Sequence, residues 1–280
     1  MTTALQVGSD LIYQVNQPTS FLFQIAVADN PHQPRREESI TIDPEQELEA
    51  CSIGLLGNRT HRLLAQPGQF TLRYRATVDL TQDVADTSEL QEVPHAQLPA
   101  EVLPYLNPSR YCESDRLLQY AWDEFGQLEP GHGRVAAIAD WVNANLAYTS
   151  GSTGPTSTAC DVLLQRQGVC RDYAHLSISF CRAIGIPARY VAGYAVDLQP
   201  PDFHGFFEAY LSDAWYLFDA TKLAPVSGFV RIGAGRDAAD LAFATLIGSA
   251  TLQKMDVWAQ PEVAQEKVAE PASDNAVSSA

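Results

Sequence analysis

The stretch from residue 158 to residue 222 leaves the chain little freedom in how it folds, because its start and stop signals fall only a few residues apart. Thr158-Ala159-Cys160-Asp161-Val162-Leu163-Leu164 reads as a short helix that stops at Gly168. A second helix starts at or just after Cys170, carries Ala174, Ile178 and Cys181 at helical spacing, and ends at Gly185-Ile186-Pro187. His204 opens a strand-like run through Leu211. Ser212-Asp213 supplies a tight turn, and Trp215 to Asp219 returns antiparallel. If Leu211 pairs with Ala214, Phe206 faces Asp219, and His204 is a diagonal neighbour on the same face, roughly 7–8 Å away at the backbone. A slip by one residue would put His204 and Asp219 on opposite faces.

This order of elements gathers groups that can do chemistry. Cys170 lies in the first turn of its helix, where free N–H groups and the positive dipole end favour a thiolate. Most free cysteines are merely small buried hydrophobes, and Cys170 taken alone would be read that way. A nucleophile needs a base, however, and the base needs a residue to orient it. Two histidines follow Cys170. His175, five residues along the same helix, points away from it. His204 is therefore the candidate base and Asp219 the residue that orients it. The Cys170 backbone N–H is a candidate donor to an oxyanion. Trp141 and Tyr148 are conceivable second donors but read better as core residues. Glu208 shares a strand face with His204 and reads as a structural partner, while Asp172 and His175 read as hydrogen-bonding residues of the helix.

The local sequences carry a resemblance. Gly168-Val169-Cys170-Arg171-Asp172-Tyr173-Ala174 is similar to the nucleophile motif of the transglutaminase-like superfamily. Gly185-Ile186-Pro187-Ala188-Arg189-Tyr190 to Tyr194 resembles the helix-to-strand segment that follows it. His204-Gly205-Phe206-Phe207-Glu208 resembles the family's His-Ala-Trp-x-Glu motif, and Trp215 to Thr221 its Trp…Asp-Pro-Thr motif. The chain departs from the pattern at Gly205, Phe206 and Ala220, which touches packing and not the reactive groups. The likeness is specific over about residues 130–222 and looser in the N-terminal region, which is similar to the β-rich domain that precedes bacterial members. It implies an α+β protein: an N-terminal β-sandwich-like domain followed by a papain-like (cysteine proteinase fold) core. It also implies a Cys170–His204–Asp219 triad that acts on a peptide or protein substrate through a thioester and needs no cofactor. Three outcomes remain open: hydrolysis of an amide, acyl transfer to an amine, or a non-catalytic peptide-binding module. The bacterial relatives of this size favour hydrolysis.

Composition narrows the partners. A net charge of −16 offers no basic surface for nucleic acid or anionic membranes. No apolar run reaches transmembrane length, and the first residues show neither the basic nor the apolar part of a signal peptide. Five scattered cysteines in 280 residues suggest a reducing, cytoplasmic setting. Cys160, Cys170, His175, Cys181 and His204 have metal-ligand chemistry, but no close C-x-x-C or H-x-x-x-H pair exists, so no metal site is expected.

Along the chain, Phe21, Phe23, Ile25 and Val27, then Phe70, Leu72, Tyr74, Ala76 and Val78, recur with the two-residue period of strands. The expected division is a β-rich domain at 1–82, a proline-containing linker at 83–108, a catalytic domain at 109–258 and a disordered acidic tail at 259–280. Within the catalytic domain, Ser114 is expected to cap a helix that carries Leu117, Leu118, Ala121 and Phe125 and stops at Gly126. Val135, Ile138, Ala139, Val142 and Leu146 form the stripe of a second helix. The Gly/Ser/Thr/Pro-rich run from Ser150 to Ser157 reads as a loop walling a cleft. Gly233-Ala234-Gly235 lacks a βαβ frame and is no nucleotide site. Arg231 and Arg236 read as ion-paired, and Leu252 to Trp258 as a closing strand.

Overall fold

The computed structural model describes residues 2–54, 56–263, 268 and 274–280. The chain opens with six strands: β1 (Thr2–Val15), β2 (Thr19–Phe23), β3 (Arg35–Asp43), β4 (Glu49–Ile53), β5 (Asn58–Ala65) and β6 (Gly68–Thr81). Alternate residues of β1 and β6 point inward, so Leu5, Val7, Leu11 and Tyr13 meet Phe70, Leu72, Tyr74 and Val78. Tyr13, Phe21, Phe23 and Phe70 pack ring on ring at one end, with centroids 5.0–6.4 Å apart.

The proline-containing stretch that follows is docked. It holds β7 (Asp83–Asp86) and three short 3-10 turns, and buries Leu90, Leu98 and Val102. Glu92 from this stretch accepts from Arg134 Nε at 2.8 Å and from Gly131 N at 3.1 Å. The core proper then runs through α1 (Leu118–Phe125), α2 (His132–Asn145), β8 (Ala147–Tyr148), α3 (Ala159–Gln165), β9 (Gln167–Gly168) and α4 (Cys170–Ala183). It continues into β10 (Ala188–Ala195), β11 (Phe203–Leu211), β12 (Ala214–Phe218) and β13 (Phe229–Gly235). These four strands form one antiparallel sheet in the order β12-β11-β10-β13. The helix α4, buried along almost its whole length, lies against that sheet, with α1 and α2 packed on its other side.

Several expectations shift in detail. The first helix begins at Leu118, and Ser114 gives it no side-chain cap; the Ser114 carbonyl accepts from Leu117 N in the preceding turn. The helix α3 ends on Arg166 in the left-handed conformation, at φ 57°, not at Gly168. Gly168 answers a different demand, because a Cβ there would lie 2.7 Å from the Asp172 Cβ. Arg231 sits in β13 and Arg236 in the turn after it, each paired with a carboxylate: Glu208 for Arg231 and Asp240 for Arg236.

The larger corrections concern the end of the chain. The strands β14 (Ala244–Ile247) and β15 (Ala250–Pro261) leave the core and return to the N-terminal sandwich. There β15 pairs with β1, and β14 pairs with β2. The two sandwich sheets therefore read β15-β1-β6-β3 and β14-β2-β5-β4. The closing strand exists, but it closes the sandwich and not the region bounded by 109 and 258. The expected acidic tail is not disordered where it is described. Pro261 ends β15, and β16 (Asn275–Ser278) pairs with β7, burying Ala276 and Val277 to 4% and 1% exposure. Two apolar side chains and a free strand edge suffice to dock it. The rest of that expectation, residues 264–267 and 269–273, lies outside the described residues. No helix among the described residues is long and apolar enough to cross a membrane.

Candidate active site

The register of β11 and β12 sets the site. Leu211 pairs with Ala214 and Phe207 with Phe218, which carries Asp219 back toward the start of β11. His204 Nε2 and Asp219 Oδ2 lie 3.0 Å apart, both side chains almost fully buried. Asp219 is in turn held by Thr221, whose backbone N–H and hydroxyl both donate to Oδ1, at 2.8 and 2.7 Å. Phe206 stands edge-on to the imidazole, with ring centroids 4.6 Å apart. The ring is thus fixed by a carboxylate at one nitrogen and an aromatic at its face.

Cys170 is the first residue of α4, so its N–H is among the four that have no intrahelical acceptor. The turn is locked by Asp172, which accepts from Val169 N at 2.9 Å and from the Thr153 hydroxyl at 2.5 Å. Cys170 Sγ lies 4.0 Å from the Phe203 carbonyl O, next to His204. Nε2 being used by Asp219, the imidazole has Nδ1 left, and that atom is buried with no hydrogen-bond partner among the described residues. Burial lowers the His204 pKa, but the bond to Asp219 and the adjacent Cys170 sulfur outweigh it and raise the imidazole to about 10. Burial pushes the Asp219 carboxyl up, yet His204 and Thr221 together hold it below the usual carboxylate range. An imidazolium beside a sulfur stabilises its thiolate. The other core thiols sit in different surroundings: burial pushes Cys112 up to about 12 and raises Cys181 as well.

Two residues read from sequence as core-packing separate here. Trp141 does pack inside, against Phe180, Phe125 and Tyr120. Tyr148 does not: it is 44% exposed and stands on β8, whose parallel pairing to β9 sets it beside Gly168. Partial burial and the neighbouring Cys170 raise the phenol's pKa. A single aromatic in a two-residue strand leaves no periodic signal. Thr221 was detectable, since a Thr two residues after an Asp can bond back to its carboxylate.

His175 faces away from the sulfur, as helix geometry requires. Its Nε2 accepts from Ala238 N at 3.1 Å, it stacks on Tyr111, and burial lowers its pKa to about 4. Glu208 is wholly buried between Arg189, whose Nε lies 2.6 Å from Oε2, and Arg231, and both arginines hold its carboxyl below the usual range against the effect of burial. Arg231 therefore meets a carboxylate of the protein itself.

Cys170 and His204 open onto a cleft of about 490 Å³. One wall is the loop with Gly151, Thr153, Gly154 and Pro155, and another is formed by Phe203, Leu241, Phe243 and Met255. Gly205 lines it as well, and a Cβ there would come within 2.8 Å of the Tyr190 hydroxyl, which explains the departure from alanine.

This arrangement agrees with what the chain is similar to. The family description Transglutaminase-like superfamily matches residues 121–220, and Bacterial transglutaminase, N-terminal domain, matches residues 3–101. A crystal structure of a candidate cysteine protease from Cytophaga hutchinsonii is 41% identical, superposes with a TM-score of 0.94, and is covered over 98% of its length by 99% of this chain. An uncharacterized protein of Mycobacterium leprae is 35% identical over 149 residues, which is 49% of this chain and 52% of that protein. One from Mycobacterium tuberculosis is 30% identical over 151 residues, 49% of this chain and 48% of that protein. The chain spans about half the length of these curated relatives. With the two matched regions side by side and a full-length structural likeness, the chain belongs to the transglutaminase-like superfamily.

Proposed function

We propose that the chain is a thiol hydrolase that cleaves an amide bond, peptide or isopeptide, through a thioester on Cys170. The observation that carries this reading is His204, tied to Asp219 through Nε2 and left with a bare Nδ1 beside the Cys170 sulfur at the floor of a cleft. With the proton already on the His204 imidazolium, Cys170 attacks the substrate carbonyl carbon as the thiolate. The oxyanion that forms is met by the Cys170 N–H at the start of α4. His204 then returns the proton to the leaving nitrogen, the C–N bond breaks, and an amine departs. Water, deprotonated by His204, attacks the thioester; the C–S bond breaks, the acid leaves and the thiolate is restored.

Acyl transfer to an amine shares every step up to the thioester and must then exclude water. Exposed walls at Gly151 and Pro155 favour water as the second nucleophile. The five free cysteines support a reducing, cytoplasmic setting as part of the same proposal. The test is to offer a panel of peptide amides and esters with a fluorescent primary amine present, and to measure acid release against amine incorporation. Acid release that Cys170→Ala abolishes is the expected result. Incorporation in excess of release means transfer, and wild-type turnover no greater than that of Cys170→Ala means a binding module.

A further inference from the structure

The cleft wall that faces the 151–155 loop is built partly by the chain on its way back to the sandwich. Phe203, the residue before His204, stacks on Phe243 with ring centroids 5.3 Å apart and planes 19° apart. Met255, on β15, lines the cleft beside them. Phe243 keeps 37% of its surface exposed, so a large apolar ring in this wall has area left to cover. It is not on a free loop. Gln24, just past β2, donates its backbone N–H to the Phe243 carbonyl at 3.1 Å, and its side-chain Oε1 accepts from Ala242 N at 3.0 Å. The sandwich thereby holds the ring at a fixed place in the cleft.

We propose that Phe203, Phe243 and Met255 form the acyl-side specificity subsite, which takes a large apolar or aromatic side chain of a peptide substrate, with Gln24 as its positioning residue. This rests on the hydrolase reading of Cys170. The acyl side follows from distance: the Phe203 carbonyl lies 4.0 Å from the sulfur that becomes bonded to the acyl carbon. That is about the span of one extended residue, so the shelf begins where the side chain next to the scissile carbonyl must lie. Asp202, at the same edge of the cleft, repels an acidic side chain there. The amino-terminal region thus enters substrate selection through Gln24 without touching the sulfur.

The experiment compares 4-nitrophenyl esters of N-acetyl-Phe, N-acetyl-Ala and N-acetyl-Glu on the full chain. Covering a Phe side chain predicts a Phe-over-Ala ratio in kcat/KM of about tenfold to a hundredfold, with Glu the poorest. Phe243→Ala and Gln24→Ala should each bring that ratio toward one, chiefly through KM, while Phe243→Leu retains most of it. Each ratio is taken within one protein, so loss of folded material cancels. A wild-type ratio near one, or a ratio that Phe243→Ala leaves alone, overturns the subsite; a preference that follows the leaving group overturns its acyl-side placement. If no ester is turned over in a Cys170-dependent way, the hydrolase reading fails separately. Calorimetry of the N-acetyl-Phe and N-acetyl-Ala amides on Cys170→Ala then reads the same preference, and equal affinity overturns the subsite.

Discussion

At the scale of single residues, the arrangement rests on a carboxylate that is itself tied down. Thr221 fixes Asp219, and Asp219 fixes the His204 ring. Asp219→Asn removes the charge and keeps the shape, so we expect turnover to fall by about a hundredfold or more with the fold intact. Cys170→Ala should be worst and His204→Ala nearly as severe, and, if the three act as a unit as proposed, the double variants should cost far less than the product of the single losses. Steady-state rates on any accepted ester check this order. The same variant has a signature in stability. The His204 pKa is raised from its ordinary 6.5 to about 10, so its contribution is full below about 6.5 and fades as pH rises through about 10. The Asp219 pKa is depressed, so its contribution is present above about 3.9 and fades as pH falls through the lowered value. The gap in melting temperature between wild type and Asp219→Asn should therefore be widest from about pH 4 to 6.5 and close on the alkaline side. A gap that stays constant to pH 11 would show that the pair is not ionised in the folded protein.

At the scale of elements, β16 matters more than its four residues suggest. Its docking buries Val277, pairs the edge of β7, and places Ser279 against Asn30 and Arg231, with Asn30 Nδ2 2.7 Å from the Ser279 carbonyl. Burying a valine alone contributes about 1.5–3 kcal/mol. Removing residues 275–280 should therefore lower the melting midpoint by roughly 5–10 °C. An unchanged midpoint would mean that the strand does not dock. Composition could not foretell this strand, since Ala276 and Val277 sit among Ser, Asn and Asp and form no periodic run. The hairpin of β11 and β12 is the opposite case. A two-residue turn at Ser212-Asp213 fixes its register locally, and with it the approach of His204 to Asp219. The start of α4 at Cys170 is legible for the same reason. Phe243 is not, because what brings it to the cleft is packing between distant parts of the chain.

At the scale of the whole molecule, residues 2–81 and 244–261 share one body. The long strand β1 lies between β6 and β15, and β2 between β5 and β14. A fragment ending at residue 108 lacks both returning strands and leaves an edge of β1 and of β2 bare. We expect it to melt without a cooperative transition or to aggregate, whereas the full chain should show one transition by calorimetry; a sharp melt of the fragment would show that the sandwich stands without its last strands. The inserted core has no such debt to the far end for its sheet, which draws its four strands from residues 188–235. On the ribosome this reverses the usual order of events. Residues 2–81 must wait with β1 half-paired while the core takes shape, and only the emergence of residues 250–261 lets the sandwich close. Until then the β1 edge is open to any neighbouring strand, so synthesis of this chain is most exposed to mispairing just before residues 244–261 appear.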